Sequence, residues 1–405
     1  MKHLFKRLYK RLTAVIFLLL AAPLVMLMRL ARPVVQVRLG ALDIGRLGGS
    51  FNSFWYIALE NSISPPTHTF DIFFWLPTNK ISNHFWLKIL SRHIRLIPPY
   101  PFFSHIFLSA DRLNKYFRNS SSNVIWVPHA FLPSNISTRL CLASPNPLLK
   151  FTKNEEELGK HNLTELGIPE GQPFMCFHAR DSCYLDAKHP NVDWKYHDYR
   201  DSTIGNYLPA AEEMARSGLW AVRIGEVAKE PIILTHSAII DYTFSGKRSD
   251  FMDIYLGANC KFMICSETGL ILVPIMFRRP ILFVNFVLLP YIYVWCSGVV
   301  ITKKFFSLSR NRLLTYREIF SPDTGVYGES GMAAINDIEL IENTAAEIRA
   351  ASIEMNDRID GQWETTNEDL RLQTQFWELF GNDRARNPDL HIGAEFLRQN
   401  ADFLY

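Results

Sequence analysis

Between Pro173 and Lys303 the chain repeats one pattern: an apolar run, a polar turn, a helical stretch, and another apolar run. Pro173–Phe177 reads as a strand that ends in His178-Ala179-Arg180-Asp181. Asn206–Ser217 follows as a helix with Tyr207, Leu208, Ala211, Met214 and Ala215 on its apolar face, stopped by Gly218. Leu219–Ile224 is the next strand, and Ser249 or Asp250 caps a helix running to about Ala258. Phe262–Cys265 is a strand that passes directly into Ser266-Glu267-Thr268-Gly269 and a helix to Phe277. Right-handed βαβ units have this spacing, so this half of the chain is expected to be a doubly wound parallel sheet.

The stretch Pro280–Ile301 carries no charge and is flanked by Arg278, Arg279, Lys303 and Lys304, so by hydropathy alone it imitates a membrane span. Its interior argues otherwise. Asn285, Pro290, Ser297 and Gly298 interrupt it, and Val, Ile, Phe and Tyr dominate. The reading is a buried strand Ile281–Val284, an irregular connection, and a second strand Val299–Lys303.

The N-terminus is different. Met1–Arg32 holds seven Lys or Arg and no acidic residue, and Leu12–Met28 is an uncharged run of 17 residues, at the lower limit for crossing a bilayer. A signal anchor, a cleaved signal peptide and a helix lying in the membrane interface all compete. Cleavage is the weakest reading, because the apolar run continues past Ala21-Ala22-Pro23 to Met28. Without this segment the chain has 36 basic against 40 acidic residues, a net of −4, which offers no cationic face for nucleic acid. Six cysteines without a CxxC pair read as reduced and mostly buried.

After Pro33, Val34–Arg38 reads as a strand leading into a loop with Gly40, Gly45, Gly48 and Gly49 and a helix Phe51–Glu60. A strand Phe70–Leu76, a helix His84–Ser91 and a short strand Arg95–Ile97 complete a first α/β domain. The glycine loop does not fit GxGxxG, so a dinucleotide site is not supported. From Phe103 the pattern weakens through Asn119-Ser120-Ser121-Ser122, Pro133, Pro145 and Pro147, before a charged helix Lys153–Leu166. Asp337–Asp402 carries 15 acidic residues against 6 Arg. Ile341, Ala345, Ile348, Met355 and Ile359 fall on one helical face there, and Trp363–Phe380 reads as another helix. The acidic residues are expected to form a solvated face. The division is therefore 1–32 for the membrane segment, 33–165 and 166–336 for two Rossmann-like domains, and 337–405 for a helical C-terminal extension.

Ligands of open α/β sheets bind beyond the carboxyl ends of the strands. Three polar groups fall there: His178 with Arg180, Arg223 with Glu226, and Ser266-Glu267-Thr268-Gly269 at a helix start. Free backbone amides, hydroxyls and converging guanidinium groups suit a diphosphate. Each piece also has a structural reading: a hydrogen-bonded histidine, Arg180 paired with Asp181 or Asp186, an Arg223–Glu226 bridge, or an ordinary helix cap.

Phe174–Phe306 resembles the donor-binding domain of GT-B glycosyltransferases. More narrowly it resembles a poorly characterised bacterial group associated with surface-polysaccharide assembly, and distantly the fucosyltransferases with an H-x-R element. The residues that carry this are Cys176-Phe177-His178-Ala179-Arg180-Asp181, Tyr199-Arg200-Asp201, Val222-Arg223-Ile224-Gly225, Ile240-Asp241-Tyr242 and Ser249-Asp250. Ser266-Glu267-Thr268-Gly269-Leu270, Pro274, Pro280, Thr302-Lys303-Lys304 and Glu318 complete them.

The resemblance implies an α/β GT-B fold with an acceptor domain first and a nucleotide-sugar domain second. It implies Arg180 on the donor diphosphate, Ser266, Thr268 and Gly269 on the distal phosphate or ribose, and Asp250 and Glu267 on sugar or ribose. His178, Arg223 and Lys303 belong to the same donor-binding set. Related proteins often carry a histidine in the first glycine loop, where this chain has Arg38-Leu39-Gly40-Ala41-Leu42-Asp43. Asp43, with Glu267 as the other candidate, is the catalytic base considered.

No D-x-D triplet occurs, so a metal-free mechanism without cofactor is expected, acting on a glycan or lipid-linked acceptor. A catalytically silent assembly subunit and a cysteine hydrolase using Cys183 near His178 are the alternatives. Monotopic attachment at the cytoplasmic face of the inner membrane places the enzyme where nucleotide sugars are made. A single-pass anchor is the alternative, and sequons at Asn119, Asn135 and Asn162 would suit a lumenal eukaryotic enzyme.

Overall fold

The structure, a computed structural model, describes residues 2–62, 68–76, 81–98, 100–116, 146–188, 193–292, 296–321, 327–328, 331–332, 337–380 and 387–405. Asn119–Ser122, Pro133, Asn135, Cys141 and Pro145 lie outside the described residues. The chain forms two compact units, Met1–Ala130 and Phe131–Tyr405.

In the first unit, β1 (Gln36–Leu42) and β2 (Thr69–Trp75) pair in parallel, with Gln36 opposite Thr69 and Leu42 opposite Trp75. Gly40 lies within β1, so the loop begins only at Asp43. The strand expected at Arg95–Ile97 is a single parallel bridge between Leu96 and Phe73. Helix α1 (Lys2–Leu30) opens the unit, α2 (Phe51–Ser62) crosses between the two strands, and α3 (His84–Leu90) is capped by Asn83, whose Oδ1 accepts from Trp86 N at 2.7 Å. Helix α4 (Pro101–Lys115) occupies sequence in which no helix was expected, with Pro at its first position, where a missing N–H costs nothing. Ala21, Val25 and Met28 of α1 share a core with Leu39, Phe74 and Ala110. Arg38 makes a two-pronged bond to Asp71 at 2.6 and 2.5 Å, and Tyr56 Oη donates to the same carboxylate at 2.8 Å.

The second unit is built on seven parallel strands. β3 (Phe174–His178), β4 (Trp220–Arg223) and β5 (Ile239–Asp241) run outward on one side. On the other side lie β6 (Met263–Cys265), β7 (Ile281–Phe286) and β8 (Gly298–Thr302). A small antiparallel sheet joins β9 (Lys304–Ser307) to β10 (Arg312–Leu313) and to β13 (Ile338–Ile341), and β11 (Tyr327–Gly328) pairs with β12 (Gly331–Met332). The main sheet ends with β14 (Leu390–Ile392), giving the order β14-β8-β7-β6-β3-β4-β5. The winding direction reverses between β3 and β6, which makes that boundary the topological switch point.

Pro280–Ile301 belongs to this core. Every residue of β7 and β8 is buried, as expected for a parallel sheet covered on both faces. Gly298 starts β8 at φ +145°, where an added Cβ would lie 1.9 Å from the Ile281 carbonyl oxygen, so no larger residue fits. Asn285 sits at φ +54° where the β7–β8 register slips, and it exchanges two 2.6 Å hydrogen bonds with Asn343.

The segment from Asp337 onward is part of this unit rather than an appended helical tail, since it supplies β13, β14 and the helix Ala345–Ile359 packed on Leu208–Arg216 and β8. Ile348 and Met355 are buried as the periodicity suggests, whereas Ile341 lies in β13 and, like Ile359, is exposed. The acidic residues are also not all solvated. Glu347 pairs with Lys304 at 2.7 Å, Glu354 with Arg358 at 2.8 Å, and Asp369 with Arg398. All three carboxylates are buried, because each is met by an arginine or lysine and accepts from a backbone amide, that of Thr344, Ala394 or Thr366.

Candidate anion site at the switch point of the second unit

β3 and β6 are neighbours at the reversal, with His178 opposite Cys265, so the residues that follow them emerge side by side. Beyond β3 the chain reaches Arg180. Its guanidinium is buried, pairs with Asp201 and donates through Nη1 to the His197 carbonyl at 3.1 Å, while Nη2 has no partner among the described residues. Burial and the nearby charge of Arg200 lower its pKa to about 10. The segment it holds is a 3-10 turn, Lys195–Arg200. At the end of that turn Arg200 reaches His197 Nδ1 at 2.6 Å and lies over the Tyr199 ring at 5.3 Å, and its Nε is buried without a partner.

Lys303 enters from the end of β8. It is buried, its Nζ donates to the Asp201 carbonyl at 2.7 Å, and burial pushes its pKa down. Glu267 follows β6. Its Oε2 accepts from Val287 N at 2.8 Å and Leu288 N at 3.3 Å, amides aligned by the irregularity at Asn285. Burial pushes Glu267 up to about 7, against the pull of the two amides, Arg200 and Lys303. Three cations therefore meet at one strand edge with the ion-paired Asp201 and with Glu267, and the charges of Asp181, Asp198 and Glu342 also act on them. Donors buried without acceptors are costly, and their placement suits an anionic ligand with several acceptor oxygens.

A layer behind these groups fixes them. Asn343 Nδ2 donates to the Thr302 carbonyl at 2.8 Å, and Glu342 accepts from Thr203 N at 2.8 Å. Residues after Asp337 thus brace both sides of the cluster.

The sequence-derived residues divide into several groups. Arg180, Glu267 and Lys303 come together, and Ser266 lies wholly buried beside them. Thr268 is half-buried and Gly269 exposed, but the expected helix start is only a 3-10 turn, Gly269–Ile271, before the short helix Leu272–Met276. Its dipole is correspondingly weak. Arg278 at φ +55° ends the helix early.

His178 is half-buried at the same edge. Its Nδ1 donates to the Ile224 carbonyl at 2.9 Å, burial lowers its pKa, and Gly225 at φ +152° lets the chain pass beside the ring. Arg223 does not bridge to Glu226. It donates to Asp241 at 3.2 Å and to the Glu230 carbonyl at 2.7 Å, tying β4 to β5. Glu226 pairs instead with Lys188 and Arg248, and Asp250 belongs to that second group, 4.0 Å from Arg248. Asp43 lies in the first unit, where its Oδ1 accepts from Gly45 N at 3.0 Å and Arg46 approaches at 3.7 Å.

Arg200 and Asp201 stood in the sequence pattern without an assigned role, because a 3-10 turn has no hydrophobic period to mark it. Among the described residues no group of His, Cys, Asp and Glu is arranged to hold a metal ion.

No family model and no curated protein matches the chain. Solved structures similar to it include a glycosyl transferase family 9 protein from Veillonella parvula, with 11% identity, a TM-score of 0.38, and 66% of this chain and 86% of that one covered. The E. coli ADP-heptose LPS heptosyltransferase II matches with 13% identity and a TM-score of 0.38, over 65% of this chain and 90% of that one. An E. coli heptosyltransferase with ADP-2-deoxy-2-fluoro heptose matches with 12% identity and a TM-score of 0.32, over 62% and 89%. These similarities are faint.

Proposed function

We propose that the chain is a GT-B-type glycosyltransferase that moves a sugar from a nucleotide-sugar donor to a glycan or lipid-linked acceptor in surface-polysaccharide assembly. The supporting observation is the meeting of Arg180, Arg200 and Lys303 at the switch point, with Arg180 Nη2 and Arg200 Nε buried and unpaired. In this reading the acceptor hydroxyl attacks the anomeric carbon while the bond from that carbon to the diphosphate oxygen breaks. The departing electron pair settles on the diphosphate, where the three cations stabilise it without a metal. The hydroxyl proton passes to a general base, for which Asp43 is the candidate from the sequence pattern, and Glu267, raised by burial to about 7, becomes neutral by taking up a proton beside the incoming negative charge. Ser266, Thr268 and Gly269 face the distal phosphate or ribose, with His178 beside them. Arg223 and Asp250 act at one remove, through the β4–β5 edge and the Arg248 group.

The chain is attached at the cytoplasmic face of the inner membrane through its N-terminal segment. The cysteine-hydrolase alternative is disfavoured: burial, Asp181 and Asp186 all raise the Cys183 thiol pKa and keep it protonated. A silent assembly subunit differs in one readout, the absence of nucleotide binding.

The test is a thermal-shift panel of nucleotide sugars on the full chain and on Arg180→Ala. The intact chain is expected to be stabilised by at least one donor, and Arg180→Ala to lose affinity by ~100-fold with its fold retained. A donor that binds the variant as well as the intact chain refutes the assignment.

A further inference from the structure

The 29-residue α1 has two apolar faces with different fates. Ala21, Val25 and Met28 are buried in the first unit's core, and Leu24 packs against them. Leu12, Val15, Ile16, Leu19, Leu20, Met26, Leu27 and Leu30 are exposed, Leu19 at 69%. At 3.6 residues per turn these fall on the opposite side from Ala21, Val25 and Met28, and the stripe extends back through Phe5 and Tyr9.

A second element joins this surface. Phe17 stacks on His105 at 4.9 Å and meets Phe102 edge-on at 5.9 Å, while Arg29 reaches Asn114 at 3.1 Å, so α1 and α4 run parallel. Phe102 in turn packs against Phe103 at 5.7 Å and Phe103 against Tyr100 at 6.2 Å, and all three rings are exposed, Phe102 at 53%.

We infer that the outward stripe of α1 and the aromatic first turn of α4 form one surface that lies on an anionic lipid membrane without crossing it. This rests on the membrane attachment proposed above and adds how it is made. Spanning by Leu12–Met28 would carry β1, β2 and α4 into hydrocarbon with the Arg29–Asn114 contact, because Ala21, Val25 and Met28 are bound to them. Lying flat buries the stripe at the acyl boundary and sets aromatic rings at headgroup depth, in a segment of seven basic and no acidic residues. The absence of any acidic residue in Met1–Arg32 supplies the charge complementarity. It also explains why the run is apolar around its whole circumference: one face serves the protein core and the other the lipid.

The experiment is vesicle co-sedimentation of the full chain, with phosphatidylcholine alone or mixed with phosphatidylglycerol, comparing it with Phe102→Ser/Phe103→Ser and Leu19→Ser/Leu27→Ser. The expected result is salt-sensitive binding to the anionic vesicles only, release by alkaline carbonate, and a loss of ~10-fold or more in each variant. Both variants are expected to keep their melting temperature and their stabilisation by nucleotide sugar, since all four positions are exposed. No vesicle binding by the intact chain overturns attachment itself. Binding that ignores Phe102→Ser/Phe103→Ser leaves attachment standing and overturns the two-helix surface. Carbonate resistance overturns the interfacial arrangement in favour of spanning, and a dimer dispersed by these variants without change in lipid binding assigns the surface to a second copy. Loss of donor stabilisation in the intact chain bears on the transfer reading alone.

Discussion

Arg38 and Arg180 are both guanidinium groups drawn out of water beside parallel strands, but their surroundings balance differently. Arg38 faces Asp71 with two parallel bonds, and Tyr56 completes the carboxylate's needs. Arg180 is ion-paired with Asp201, feels Asp181 and Asp198, and lies in a neighbourhood that includes Arg200 and Lys303, and among the described residues one of its nitrogens is buried and unpaired. The first arrangement is electrically closed and serves to hold β1, β2 and α2 together. The second keeps buried donor atoms that a diphosphate would complete. A buried arginine is therefore informative through what it lacks.

Removing the closed site should give the largest effect on stability. Arg38→Ala leaves Asp71 buried and uncompensated, so urea unfolding is expected to show a loss of about 3–5 kcal/mol, with the affinity for donor unchanged in the folded fraction. Should Arg38→Ala weaken donor binding and spare stability, the contrast between the two sites would be reversed. Arg200→Ala should do the opposite: ~10-fold weaker nucleotide-sugar binding by calorimetry and a stability change within about 0.5 kcal/mol, because its bond to the His197 imidazole and its pull on Glu267 are offset by its repulsion of Arg180.

The smallest effect belongs to Glu267. Its folded pKa of about 7 exceeds the ordinary 4.5, so its contribution to stability is complete below about 4.5 and is lost as the pH rises through about 7. Glu267→Gln is expected to flatten the pH dependence of the melting temperature across that window. An incoming diphosphate raises this pKa further, so donor binding at pH 7 should take up a fraction of a proton in the intact chain and none in the variant. Calorimetry in two buffers of different ionisation enthalpy measures it, and equal uptake in both proteins would point to a different titrating group.

How much of this was legible in the sequence varies by element. Strands ending at His178 and Cys265 announce themselves through apolar runs broken by polar residues, and their adjacency follows from the winding rule, so Arg180 and Glu267 were within reach. Lys303 was visible as the charge that ends an apolar strand. Arg223 was placed at the right strand end, but its partner is on β5, three residues too short to show a period. Strand β14 is equally short, and α4 begins with Pro-Phe-Phe, which mimics a loop followed by a strand. The helix after Thr268 was read too long because a 3-10 turn and a short α-helix share one apolar stretch. Asn285 looked like an interruption of the apolar run and proved to be a slip in register with a partner 58 residues away.

Strand β14 flanks β8, the strand that leads to Lys303. Ribosomes deliver chains from the N-terminus, so Leu390–Ile392 emerges after every other strand of the sheet it completes. Until then β8 presents an open rim of amides and carbonyls, the kind of margin on which nascent polypeptides stick to one another. Translation that stops short of Ile392 would release a protein with Arg180, Arg200 and Lys303 present and the outer boundary of their sheet unsealed, so quality control of this molecule turns on the codons for Leu390–Ile392.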